Sequence, residues 1–177
     1  GTLTNSNFIK NNSTTNGGAV LWSSDNGILK GCTFTDNSAP HGGGVFWNGI
    51  KGNLIDCTFS SNTASLQGGA VQWYAGANGI IQNSTFTDNS SPLGSAICWS
   101  VAGNMINCIF TNSKWIKSNG IYANSTININ GGNGIVDIVT SNTISGISIV
   151  VLNNETYYYP PNTNINLPNK KQLNRNS

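Results

Sequence analysis

The sequence predicts an all-β chain wound as a right-handed parallel β-helix, with about 25 residues and three short strands per coil. Three observations predict it. Trp22, Trp47, Trp73 and Trp99 recur at intervals of 25, 26 and 26 residues. Phe8, Phe34, Phe59, Phe86 and Phe110 recur at 26, 25, 27 and 24, and a glycine stands seven residues before each: Gly1, Gly27, Gly52, Gly79 and Gly103. Around these marks, small and large residues alternate with period two over short runs, which is strand behaviour. A propeller blade would need roughly 40–50 residues and four strands, so the shorter period selects a solenoid.

The first strand of each coil follows the glycine and carries Leu3, Leu29, Leu54, Ile81 or Met105 two residues past it. The second carries Ser6, Cys32, Cys57, Ser84 or Cys108, then the phenylalanine two residues later. Parity slips by one between these strands, at Asn5, Gly31, Asp56, Asn83 and Asn107, residue types that tolerate a bend. Three residues past the phenylalanine come Asn11, Asn37, Asn62 and Asn89, with Ser113 in the fifth copy. Asparagines stacked inward at a corner can hydrogen-bond from rung to rung, as amide ladders do in cross-β stacks. Glycine pairs then mark a tight turn (Gly17-Gly18, Gly42-Gly43, Gly68-Gly69), replaced by Gly94-Ser95 in the fourth copy. The third strand places Val20, Val45, Val71 and Ile97 inside with the tryptophans, and Leu21, Phe46, Gln72 and Cys98 outside. Replacing Phe59 or Phe86 by Ala is therefore expected to cost several times more than replacing outward Gln72.

The regular repeats occupy residues 1–117. Residues 118–152 keep Ile- and Val-rich runs without the repeat signature and are expected to be irregular terminal coils or a cap. Residues 153–177, punctuated by Pro160, Pro161 and Pro168, read as an extended linker or tail.

Charged residues are 8 % of the chain and the net charge is +2, against roughly 25 % charged in an average globular protein. Polarity without charge suits stacked rungs, where like charges would repel. No basic cluster exceeds Lys170-Lys171, which argues against a nucleic-acid partner. No apolar run is long enough for a membrane-spanning helix, so no direct membrane span is expected. The sequence starts at Gly1 inside a repeat, as expected of a fragment or a processed product.

The unit Gly-Gly-Ala-Val-x-Trp joined to Cys-x-Phe-x-x-Asn resembles the repeats of chlamydial polymorphic membrane proteins. It is still more similar to the adhesin-like surface proteins of methanogenic archaea. The segment from Ser145 to Asn164 resembles the junction where such proteins leave the β-helix for Ig-like modules. The repeat resemblance covers residues 1–115, and Gly94-Ser95 and Ser113 depart from its pattern. It implies a secreted or surface-anchored structural protein and brings no catalytic residues with it.

Candidate chemistry is sparse. Parallel β-helices include polysaccharide lyases and hydrolases, and fold alone does not decide activity. Asp36 and Asp88 occupy one repeat position two coils apart, hence roughly 9–10 Å apart at a strand spacing of about 4.8 Å. An inverting hydrolase could use carboxyl groups about 6.5–9.5 Å apart, but Ser61 lies between them and the only arginine is Arg175. They read as solvated corner residues. His41 has no second ligand at metal spacing and reads as a surface turn residue, so neither a metal nor a cofactor is expected. Cys32 and Cys57 fall on adjacent rungs, within disulfide reach, yet the same position accepts Ser6 and Ser84, which favours free thiols. Asn-x-Ser/Thr sequons lie at Asn11, Asn12, Asn83, Asn89, Asn124 and Asn154; Asn124 and Asn154 are the better glycosylation candidates, because Asn11 and Asn89 point into the ladder. Outward Phe46 beside Tyr74 could form a small aromatic platform for sugar stacking.

These readings converge on an extracellular structural or adhesin-type β-helix, secreted or at the cell surface, and not an enzyme; the alternative is a polysaccharide-active lyase or glycoside hydrolase. Expected partners are cell-surface glycans or proteins, and other copies of the chain or further β-helical segments. In the self-association reading, the strand Ile147 to Leu152 pairs head-to-tail with an open rung of a neighbour and builds filaments.

Overall fold

The computed structural model of the chain describes residues 1–112 with their side chains and, beyond them, the backbone strands Trp115–Ser118, Thr126–Asn130, Gly134–Thr140, Ser148–Leu152, Glu155–Tyr159 and Lys170–Leu173. The second coil shows the plan, with strands Ile28–Lys30, Thr33–Thr35, Ser38–His41 and Val45–Trp47 in succession. Each kind of strand pairs in parallel with its counterpart one coil away: Leu29 lies opposite Leu3 and Leu54, Phe34 opposite Phe8 and Phe59, Trp47 opposite Trp22 and Trp73. The stack is thus a parallel β-solenoid, and the core lies inside the coil.

The three expected strands are present, and the middle coils add a fourth. Ser38–His41 pairs with Thr63–Gln67, and isolated bridges extend this row to Asn12, Asn16, Ser90 and Leu93. No apolar alternation marks it. Its inward residues are only Ala39 and Ala64, and Pro40 removes one backbone donor, as edge and short strands tolerate.

Corners are made by single residues in the left-handed region. In the second coil these are Asn26 (φ 54°), Gly31 (62°), Asp36 (54°) and Gly42 (63°). Asn5, Asp56, Asn83 and Asn107 make the corresponding bend in other coils, where the parity of the sequence slips. Asn, Asp and Gly visit this region at low cost.

Inside, like residues stack. The phenylalanine rings lie parallel at centroid spacings of 4.8, 4.6, 5.0 and 5.1 Å, and the indoles at 5.2, 4.8 and 5.0 Å. Leu29, Leu54, Ile81 and Met105, the thiols of Cys32, Cys57 and Cys108, and Val45, Val71 and Ile97 pack with them in the core. At one corner the buried Asn37, Asn62 and Asn89 form a hydrogen-bonded line. Asn37 donates from its backbone N and from Nδ2 to Asn62 Oδ1 at 3.0 and 2.9 Å, and Asn62 repeats both bonds to Asn89 Oδ1 at 3.0 Å. Each Nδ2 also donates to the phenylalanine carbonyl of the coil before: Asn37 to Phe8 and Asn62 to Phe34 at 2.9 Å, Asn89 to Phe59 at 3.1 Å. The polar groups buried at this corner therefore satisfy one another.

Two sheets continue past residue 112. Met105 lies opposite Ile129 and Ile129 opposite Leu152, while Ile97 lies opposite Ile116 and Ile116 opposite Ile138. The stretch 153–177, expected as a linker, contributes a strand to each: Glu155–Tyr159 pairs antiparallel with Ser148–Leu152, and Lys170–Leu173 antiparallel with Gly134–Thr140. The run Thr156-Tyr157-Tyr158-Tyr159 is strongly β-prone, and that preference outweighs the prolines beside it. Ser148–Leu152 thus lies between Thr126–Asn130 and Glu155–Tyr159, with a partner on both edges. Among the described residues, no helix is long and apolar enough to cross a membrane.

Candidate functional site

The glycine-pair turn folds the outside of the coil into a cleft. One wall is the outer row of the fourth strand, where Asn16, His41, Gln67 and Leu93 follow one another in register. The other is the outer row of the tryptophan strand, Leu21, Phe46, Gln72 and Cys98. Gly42 and Gly43 bring the rows together. A Cβ on Gly42, already at φ +63°, would stand 2.2 Å from Val45 O, and one on Gly43 2.2 Å from Gly69 O. Only glycine permits so close an approach.

The result is a cavity of about 320 Å³ lined by Asn16, His41, Phe46, Gln67, Gln72 and Tyr74. That lies at the small end of the roughly 300–1,000 Å³ usual for ligand sites. Gln72 lies outside the core yet is 0 % exposed. The position faces outward, as its parity predicts, but the facing row covers it. Its Nε2 donates to Gln67 Oε1 at 2.7 Å, and its Oε1 meets His41 Nδ1 at 3.1 Å. With Oε1 as the acceptor, His41 Nδ1–H is the donor in this pair. His41 is therefore a half-buried strand residue held by an amide, rather than a free surface turn residue. Phe46 is buried, and Tyr74 stands over it with ring centroids 5.6 Å apart and planes tilted by 30°. The lining is aromatic, amide and imidazole.

The stacked parallel strands agree with a comparison against known families. A family model described as a right-handed β-helix region matches residues 2–133, well over half of the chain. The chain belongs to the right-handed β-helix family. No curated protein and no solved structure matches it.

Elsewhere in this β-helix, the residues singled out in the sequence fall as follows. Asp36 and Asp88 are exposed at left-handed corners, each with φ 54°. Asp88 Oδ1 accepts from Asn112 Nδ2 at 2.9 Å, and Asp56 Oδ1 from Asn83 Nδ2 at 3.3 Å, so these acids bind amides of the next coil. Among the described residues, no three His, Cys, Asp or Glu side chains converge to hold a metal ion.

The thiols of Cys32, Cys57 and Cys108 point at backbone carbonyls, with Cys57 Sγ 3.3 Å from Ile55 O and Cys32 Sγ 3.4 Å from Lys30 O. Burial pushes the thiols of Cys57 and Cys108 up to about 12. Asn11 Nδ2 donates to Asn37 Oδ1 at 2.9 Å, and Asn89 is buried. Asn124 and Asn154 lie outside the described residues.

The sequence reading paired Phe46 with Tyr74 but set His41 apart as a surface turn residue, and missed that it lines the same cleft. It also missed Asn16 and Gln67. One signal was available: Leu21, Phe46, Gln72 and Cys98 break the uniformity of an otherwise repetitive unit, and a column that varies is one the stack does not prescribe.

Proposed function

We propose that this β-helix is an extracellular structural protein of adhesin type, secreted or carried at the cell surface, presenting a rigid wall for contact with another surface. The observation that carries the reading is the unbroken set of internal columns. Phe, Trp and Asn stack rung on rung from Phe8 to Phe110. Such a stack fixes the positions of outward side chains over a long distance, which a contact surface needs. Low charge and the resemblance of the repeats to adhesin-like archaeal surface proteins support the same reading.

The wall acts by binding and not by turnover. Contact with further copies of the chain, through terminal strands of its sheets, belongs to this reading as well. The test is adhesion: beads coated with the chain should settle on cells or extracellular matrix above the level of beads coated with an inert protein. A reducing-sugar or lyase assay on acidic glycans should stay at background. Turnover lost on Asp36→Asn or Asp88→Asn would replace the adhesin reading by the enzyme one.

A further inference from the structure

The cleft beside the glycine-pair turn differs from the rest of the wall. The core columns repeat one residue type, but the cleft is lined by rows that change from coil to coil, with amides (Asn16, Gln67, Gln72), an imidazole (His41) and two rings (Phe46, Tyr74). We propose that it is a binding site for one uncharged pyranose residue of a glycan, which gives the adhesin-type reading above its ligand class.

The chemistry matches such a ring. A pyranose has an apolar C–H face and a rim of hydroxyls, each both donor and acceptor. Tyr74 is 42 % exposed and stands at the mouth; its ring is the stacking surface, and buried Phe46 supports it from beneath. Asn16, His41 and Gln67 are half-buried on the opposite wall and offer the donors and acceptors that hydroxyls need. Gln72 is fully buried and reaches no ligand. It is a positioning residue, whose amide fixes the tautomer of His41 and the orientation of Gln67. Among the described residues, no carboxylate and no lysine or arginine lines the cavity, so an ionised sugar would find no counter-charge there. The volume suits one ring rather than a long chain.

The exposed Leu21 and Leu93, in register with Phe46 and Gln67, continue the two walls with apolar side chains. They make an apolar peptide the competing occupant, and the experiment separates the two. His41 is the only histidine of the chain, so its ring C–H resonances report on the cleft alone. The full chain is titrated with neutral methyl glycosides of glucose, galactose, mannose and N-acetylglucosamine, then with ionised galacturonate and an apolar hexapeptide.

Saturable shifts of the His41 signals with at least one neutral glycoside, weakened about tenfold or more by Tyr74→Ala and by Gln67→Ala, are expected. Tyr74→Trp should keep binding and Tyr74→Ala should keep the wild-type melting curve, whereas Gln67→Ala, which takes the acceptor from buried Gln72 Nε2, should melt lower yet still unfold cooperatively. No shift with any neutral glycoside, shifts with galacturonate or the hexapeptide alone, or binding untouched by Tyr74→Ala would overturn the proposal. Bead adhesion separates this from the broader reading. If Tyr74→Ala beads adhere like wild type, only the cleft proposal falls; if wild-type beads do not adhere, the adhesin reading falls.

Discussion

Gly79 is the seat of the Trp73 indole: a Cβ at Gly79 would stand 2.1 Å from Cζ2 of that ring. The ring cannot retreat, because it is stacked between Trp47 and Trp99 at 4.8 and 5.0 Å. Gly27, Gly52 and Gly103 stand equally close to Trp22, Trp47 and Trp99, which explains the glycine seven residues before Phe34, Phe59, Phe86 and Phe110. Gly79→Ala is expected to cost about 1–3 kcal/mol through overpacking. Urea denaturation checks this against exposed Ser65→Ala, which should be near neutral.

The amide ladder should be a second point of failure. Asn62→Ala removes the acceptor of Asn37 N and Nδ2 and leaves that buried N–H unsatisfied. At about 1–3 kcal/mol for an unsatisfied buried group, on top of the bonds lost, a destabilisation of roughly 3 kcal/mol or more follows. Asn62→Asp keeps the acceptor but buries a carboxylate, so its folded pKa must rise above the unfolded one. That variant should gain stability as pH falls, opposite in sign to an ordinary paired carboxylate. Chemical denaturation at neutral and mildly acidic pH reads both.

Phe59→Ala empties a fully buried ring site between Phe34 and Phe86 and should cost about 3–5 kcal/mol. Gln72→Ala loses the hydrogen bonds to His41 and Gln67 and should cost about 1–2 kcal/mol. The gap is narrower than an exposed Gln72 would give. Denaturant midpoints of the two variants decide it.

Cys57 and Cys108 make stability fall at alkaline pH. Their folded pKa is pushed from 9.0 to about 12, so the native state holds protons that the unfolded chain releases. Their contribution is complete below about pH 9 and is lost as pH rises towards about 12. The equivalent position takes Ser84, whose Oγ donates to Gln82 O at 2.9 Å. The double variant Cys57→Ser, Cys108→Ser should therefore fold and show a flatter alkaline limb in pH-dependent melting.

The columns were legible in the sequence because each holds nearly one residue type, so period and parity fix both coil length and inward face. Phe34, Trp73 and Leu54 needed no more than that. Of the cleft, only the pairing of Phe46 with Tyr74 was legible. Gln72 looks outward by parity, and its burial arises only because the turn at Gly68 folds Gln67 back over it. The fourth strand was hidden by Pro40 and by the small inward Ala39 and Ala64. The strand Glu155–Tyr159 was masked by Pro160 and Pro161.

Rung-to-rung register is the central claim, and disulfide trapping tests it most directly. Thr35 and Ser60 are Cα partners on adjacent coils, with Oγ1 and Oγ 3.1 Å apart on the outer face. Their Cα spacing of about 4.8 Å lies within disulfide reach, whereas a diagonal neighbour at about 8 Å does not. Thr58, two residues before Ser60, is that diagonal partner. The pair Thr35→Cys, Ser60→Cys should close a bond rapidly under mild oxidation in the folded chain, and Thr35→Cys, Thr58→Cys should not. Equal closure of both pairs, or preference for the second, would contradict the stacked register on which the β-helix rests.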